Sequence, residues 1–171
     1  NNLNRKKIGI IAIVVLALAI TAGITVKMNK AKASGNVTID NILWFFDIDN
    51  GKAVNLYTPA DVETSTITIP TEVTYKNVTY PVVSVGMSDV VNKSSLFFGS
   101  LEPNTTVSFA QKDGKTSITK INAYAFCGCT NIQSVNIPDS VTEIGDYAFC
   151  NCSDMTTVGS IENVKTLGNS A

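Results

Sequence analysis

The sequence predicts a repeat solenoid, mostly β-strand with a short helix in each rung. It is expected behind a β-hairpin-rich N-terminal cap and an N-terminal transmembrane or signal helix. Three observations carry this reading. The phrase Tyr-Ala-Phe-Cys-x-Cys stands at Tyr124–Cys129 and again at Tyr147–Cys152. The residues around the two copies align in register at a shift of 23. Near the N-terminus, residues 8–26 form an uncharged run of nineteen apolar or small residues.

That run is about long enough to cross a bilayer core as a helix. Arg5, Lys6 and Lys7 precede it, as a cytoplasmic flank should. Ala31-Lys32-Ala33 fits a small-residue cleavage site before Ser34, so a cleaved signal peptide and a retained anchor both remain open over residues 1–33. Either one exports the chain from residue 34 onward. Residues 1–33 hold 6 of the 13 basic residues and none of the 14 acidic ones. The exported part keeps 7 basic and 14 acidic residues, a net charge of −7. Such a surface argues against a nucleic-acid partner, because phosphate contacts need clustered Lys and Arg.

Residues 36–117 read as the cap with one or two degenerate rungs. Within 42–58, Asn50-Gly51 supplies a positive-φ turn between two runs of strand formers. A second hairpin is expected over 72–83, around Lys76-Asn77. Thr66-Ile67-Thr68-Ile69-Pro70 has the alternation and terminal Pro of a repeat strand, and Pro81–Gly86 resembles the short piece that precedes the Tyr-Ala-Phe phrase. A solenoid needs such a shield over its first rung. The alternative for this region is a separate small β domain.

Residues 118–171 carry the repeat itself. "ITKINAYAFCGCTNIQSVNIPDS" lies over "VTEIGDYAFCNCSDMTTVGSIEN", and "VKTLGNSA" (164–171) begins a third copy. A fixed period in the twenties marks a solenoid, whose units bury their apolar faces against their neighbours. Ile132-x-x-Val135-x-Ile137 has the spacing of a leucine-rich repeat strand. Alternation turns Val135 and Ile137 inward and Ser134 and Asn136 outward. Pro138 ends the strand and Asp139-Ser140 turns the chain. Thr142-Glu143-Ile144 is a second extended piece, Gly145 permits a corner, and Asp146 is placed to cap a helix of one or two turns carrying Tyr147, Ala148 and Phe149. The expected core is Ile121, Phe126, Cys129, Ile132, Val135, Ile137, Ile144, Phe149, Cys152 and Val158.

The unit beginning at Ile118 closely resembles the BspA-type leucine-rich repeat, whose pattern reads roughly I-x-x-I-G-x-x-A-F-x-x-C-x-x-L-x-x-V-x-I-P-x-S-V. The match is specific over 118–171 and looser upstream, where "GMSDVVNK" (86–93) replaces the A-F-x-x-C phrase. The second full copy departs at Gly159-Ser160-Ile161, where the first has Asn136-Ile137-Pro138. The resemblance implies that Cys129 and Cys152 point inward as small apolar residues. It also implies a surface protein that binds other proteins.

Two readings of the remaining cysteines stay open. Adjacent rungs about 4.8 Å apart allow a rung-to-rung disulfide between Cys127 and Cys150, which an exported chain tolerates. The two C-x-C pairs could instead offer four thiolates to zinc, although strong zinc signatures use C-x2-C spacing. No metal ligand, cofactor or catalytic residue is assigned. The chain has no His, so Ser-His-Asp and Cys-His devices cannot be built from it. It contains neither phosphate-binding glycine motif. Asp47-Ile48-Asp49-Asn50-Gly51 is one residue short of a calcium loop and reads better as a turn. N-x-[ST] sequons such as those at Asn36, Asn77, Asn92 and Asn104 are expected by chance in this composition.

The expected function is therefore non-enzymatic. A cell-surface or secreted repeat protein would bind extracellular or cell-surface proteins through outward residues Gln133, Ser134, Asn136, Thr156 and Thr157, and would touch the membrane through residues 8–26 if uncleaved. The alternative is an accessory or spacer solenoid of a larger extracellular enzyme or envelope protein, whose catalytic domain would lie beyond residue 171.

Overall fold

A computed structural model describes residues 33–87, 95–97 and 99–171. The apolar run 8–26, and with it the expected export helix, lies outside the described residues. The chain opens with three antiparallel strands: β1 (Ala33–Ile39), β2 (Ile42–Asp49) and β3 (Lys52–Tyr57). Asp40-Asn41 joins the first pair at φ 52° and 62°, and Asn50-Gly51 joins the second at φ 49° and 73°. Two positive-φ residues in a two-residue loop match the right-handed twist of the strands they connect.

From β3 onward the pairing becomes parallel. β3 is hydrogen-bonded to β7 (Ser84–Val85), which is followed in the same sheet by β9 (Lys120–Ile121), β11 (Glu143–Ile144) and β13 (Thr166–Leu167). The chain crosses between these short strands to a second parallel sheet. That sheet is ordered β12 (Thr157–Val158), β10 (Ile132–Val135), β8 (Thr105–Phe109) and β4 (Thr66–Ile69). A separate hairpin, β5 (Glu72–Tyr75) and β6 (Val78–Pro81), turns at Lys76-Asn77 with φ 51° and 63°. Because β3 pairs directly with β7, the first hairpins and the repeats share one sheet.

The register reproduces the sequence period. Lys120 faces Glu143, Glu143 faces Thr166, and Ser134 faces Thr157, each a step of 23. Upstream steps differ, because Ile67 faces Val107 and Val85 faces Ile121. The earlier rungs thus stack in the same way with loops of other lengths between them.

The core is a column of rings crossed by aliphatic side chains. Trp44 meets Phe97 at 6.3 Å, Phe97 meets Phe126 at 6.2 Å, and Phe126 stacks on Phe149 at 5.1 Å with planes 4° apart. Ile121, Phe126, Cys129, Ile132, Val135, Ile137 and Ile144 are buried. Phe149 and Cys152 are only half buried. Val158, expected inward, is 43% exposed. Its strand is the edge of its sheet, and among the described residues no further strand covers it.

No helix forms among the described residues. The segments expected as short helices, 123–128 and 146–151, are successive turns. Tyr124 and Tyr147 adopt φ 60° and 55°, outside the helical basin. The N–H groups of Tyr124, Phe126 and Gly128 donate to the carbonyls of Asp146, Ala148 and Cys150 in the next rung, at 2.9, 2.7 and 2.7 Å. Those donors are therefore spent between rungs and cannot close helical turns. Asp146, expected as a helix cap, instead accepts the Asn169 N–H at 2.6 Å.

Candidate binding face

The four-stranded sheet presents the broadest regular surface of the repeats. A strand alternates its side chains, so one row from each strand points out. Cα partners align Thr66 with Thr106, Thr106 with Ser134, and Ser134 with Thr157. A second row carries Thr68 opposite Ser108, with Asn136 beyond, its N–H bonded to Val107 O. Every one of these side chains is a hydroxyl or a carboxamide. Beneath them Ile67, Ile69, Val107, Phe109, Val135 and Ile137 are buried, which fixes which face looks outward.

The rows are tied laterally. Ser134 Oγ donates to Thr106 Oγ1 at 3.2 Å, and the Thr68 and Ser108 hydroxyls lie 3.4 Å apart. Backbone bonds continue the ladder, with Asn136 N on Val107 O at 2.9 Å, Thr156 N on Gln133 O at 2.9 Å and Gly159 N on Val135 O at 2.8 Å. Neighbouring outward side chains therefore stand about 4.8 Å apart on a fixed backbone. Such a surface can exchange hydrogen bonds in either direction, and it has no charge to desolvate.

Of the residues singled out from the sequence, Gln133, Asn136, Thr156 and Thr157 are exposed and Ser134 is half buried against Thr106. Ser134, Asn136 and Thr157 lie in the two rows. The sequence reading missed Thr66, Thr68, Thr106 and Ser108, which extend the same rows toward β4. The alternation Thr-Ile-Thr-Ile was visible, but nothing local states that it stacks 40 residues away on Thr106–Phe109. Beside Ser108 and Asn136 the face drops into a recess that also takes in Gln111, Lys115, Asp139 and Ser140.

The other sheet has a different outer character. Lys120 pairs with Glu143 across neighbouring rungs at 2.7 Å, with both side chains 43% exposed. A polar chain joins the hairpins to the repeats. The Asn122 carboxamide donates to Gly86 O at 2.7 Å and to Asn55 Oδ1 at 3.0 Å. Asn55 donates to Asp47 Oδ2 at 3.0 Å, and Ser34 Oγ donates to Asp47 Oδ1 at 2.7 Å. Asp47, on β2, is thus held between β1 and β3, and of the 47–51 stretch only Asn50-Gly51 forms the turn.

Cys127 and Cys150 form a disulfide with Cα atoms 4.5 Å apart. This uses two of the four thiols that a zinc site would need, and among the described residues no cluster of three or more metal-ligating side chains occurs. Cys129 is buried and Cys152 half buried, both as thiols. Burial pushes the Cys129 thiol up from 9.0 to about 12; a hydrogen bond with Ser95 opposes this and Cys152 adds to it. Burial also raises Cys152.

Stacked rungs of this kind define a leucine-rich repeat solenoid. Residues 104–171 match the family model described as "BspA type Leucine rich repeat region (6 copies)", so this stretch is a BspA-type leucine-rich repeat region. Among solved structures, a leucine rich cell surface protein from Faecalibacterium prausnitzii A2-165 is similar at 21% identity and a TM-score of 0.48, over 80% of this chain and 39% of that one. The pneumococcal vaccine antigen PcpA is similar at 14% identity and 0.40, over 80% and 40%. A leucine-rich repeat protein from Bacteroides ovatus ATCC 8483 is similar at 20% identity and 0.35, over 78% and 43%. The chain covers about two-fifths of the length of each. No curated protein matches it.

Proposed function

We propose that this chain is the exported, non-enzymatic binding region of a surface protein, and that its four-stranded sheet grips extracellular or cell-surface proteins in attachment. The observation that carries the reading is the aligned, uncharged outer row Thr66, Thr106, Ser134 and Thr157, with Thr68, Ser108 and Asn136 beside it. A solenoid offers such a surface over many rungs, so many weak contacts add along its length. Export rests on the apolar run 8–26 and on the abrupt change in charge after residue 33. Residues 8–26 hold the protein at the membrane if they are not removed.

The reading is tested by presenting the full chain to immobilised extracellular-matrix proteins and to intact cell surfaces. Saturable binding to a protein component, abolished by protease treatment of the target surface, is the expected result. Absence of binding to every such surface would remove the reading and leave the spacer role.

A further inference from the structure

We propose that Cys129 and Cys152 are the site of a second rung-to-rung disulfide, closed by exchange with an exported disulfide donor. The inference stands on the geometry of the turn corner and is independent of what the sheet face binds.

The two cysteines are 23 residues apart, the separation already bridged between Cys127 and Cys150. Successive rungs are held in register at this corner. Phe126 N donates to Ala148 O and Gly128 N to Cys150 O, both at 2.7 Å, on either side of the existing bridge. Cys129 and Cys152 occupy the next equivalent positions along the same two turns. The Phe126 carbonyl ties them together: it accepts the Cys129 N–H at 3.1 Å and the Cys152 thiol at 3.0 Å. The Cys152 sulfur therefore already lies over the turn of the preceding rung. A disulfide needs Cα atoms roughly 4.4–6.8 Å apart, and the neighbouring bridged pair has 4.5 Å.

The chemistry is ordinary exchange. Cys152, the less buried of the two, loses its proton and attacks one sulfur of the donor disulfide. The donor S–S bond breaks and one donor sulfur leaves as thiolate. Cys129 then loses its proton and attacks the Cys152 sulfur, forming the new S–S bond and expelling the second donor thiolate. The pair is oxidised by two electrons and the donor is reduced by two. Burial disfavours both thiolates, so closure is slow at neutral pH, and the finished bond is shielded from reductants by the same burial. The fold would then carry two adjacent staples between one pair of rungs.

The test is a thiol count on the full chain. The reduced protein is incubated with oxidised glutathione, denatured and alkylated with iodoacetamide, and its mass is measured. The expected product carries no alkylated cysteine. A Cys127→Ser/Cys150→Ser double variant should still close one bond, which places it between Cys129 and Cys152. Persistent alkylation of Cys129 and Cys152 in wild-type protein, after Cys127–Cys150 has closed, would overturn the proposal. So would a Cys129 partner other than Cys152.

Discussion

Phe126 is fully buried between Phe97 and Phe149, and it links the rings of the upstream rung to those of the repeats. Phe126→Ala should cost about 3–5 kcal/mol, the range for removing a buried aromatic from a core that relaxes only in part. Urea unfolding monitored by circular dichroism would measure it. Cys129 makes a second residue-scale prediction. Its folded thiol keeps its proton up to about pH 12, whereas the unfolded thiol loses it near 9.0. Between those values the unfolded state binds fewer protons, so stability falls as pH rises through this window and is fully present below it. With the cysteine in its thiol form, Cys129→Ala should flatten that alkaline decline in urea midpoints. Phe126 and Cys129 were legible in the sequence because both sit in a phrase written twice. Phe97 and Trp44 were not, although they complete the same column. Neither is flanked by the repeat phrase, so only the fold reveals that they share its height.

At the scale of elements, the turns explain why a helix was a reasonable but wrong expectation. Tyr-Ala-Phe after an Asp looks like a capped helical start, yet the stacking of equal turns offers every second N–H a carbonyl in the next rung. A local reading has no access to that competitor. The corner at Gly145 was legible, and the structure adds its cause: a Cβ there would run into the backbone of Ala123. Asn122 takes the equivalent corner one rung earlier and spends its carboxamide on Gly86 and Asn55. Asn122→Ala should cost about 1–3 kcal/mol, because the buried Asn55 carbonyl oxygen loses the donor it has. Thermal unfolding of the variant would register the loss. The Lys120–Glu143 pair is different in kind. Its exposure limits it to roughly 0–1 kcal/mol, so Glu143→Gln should leave the urea midpoint nearly unchanged.

For the molecule as a whole, the step of 23 residues from 118 onward extends both sheets at once, so there the outer rows and the inner column have the same origin. The Cys127–Cys150 bridge spans one such step. Its removal by Cys127→Ser/Cys150→Ser should lower stability by about 3 kcal/mol, the value for closing a loop of a few tens of residues. The repeats were legible because their period is constant from 118 onward. The upstream rungs were harder to read, because their spacings vary while their strands still stack. The face was therefore seen only in its later half, at Ser134, Asn136 and Thr157, and missed at Thr66, Thr68, Thr106 and Ser108. The central claim is that this face does the binding. It is tested most directly by comparing wild type with a Ser134→Lys/Asn136→Lys variant and a Glu143→Lys control on the other sheet, using surface plasmon resonance against a bound matrix protein. The face variant should lose about tenfold or more in affinity, roughly 1.4 kcal/mol, while the control keeps wild-type affinity. Unchanged binding by the face variant, or loss in the control alone, would contradict the claim.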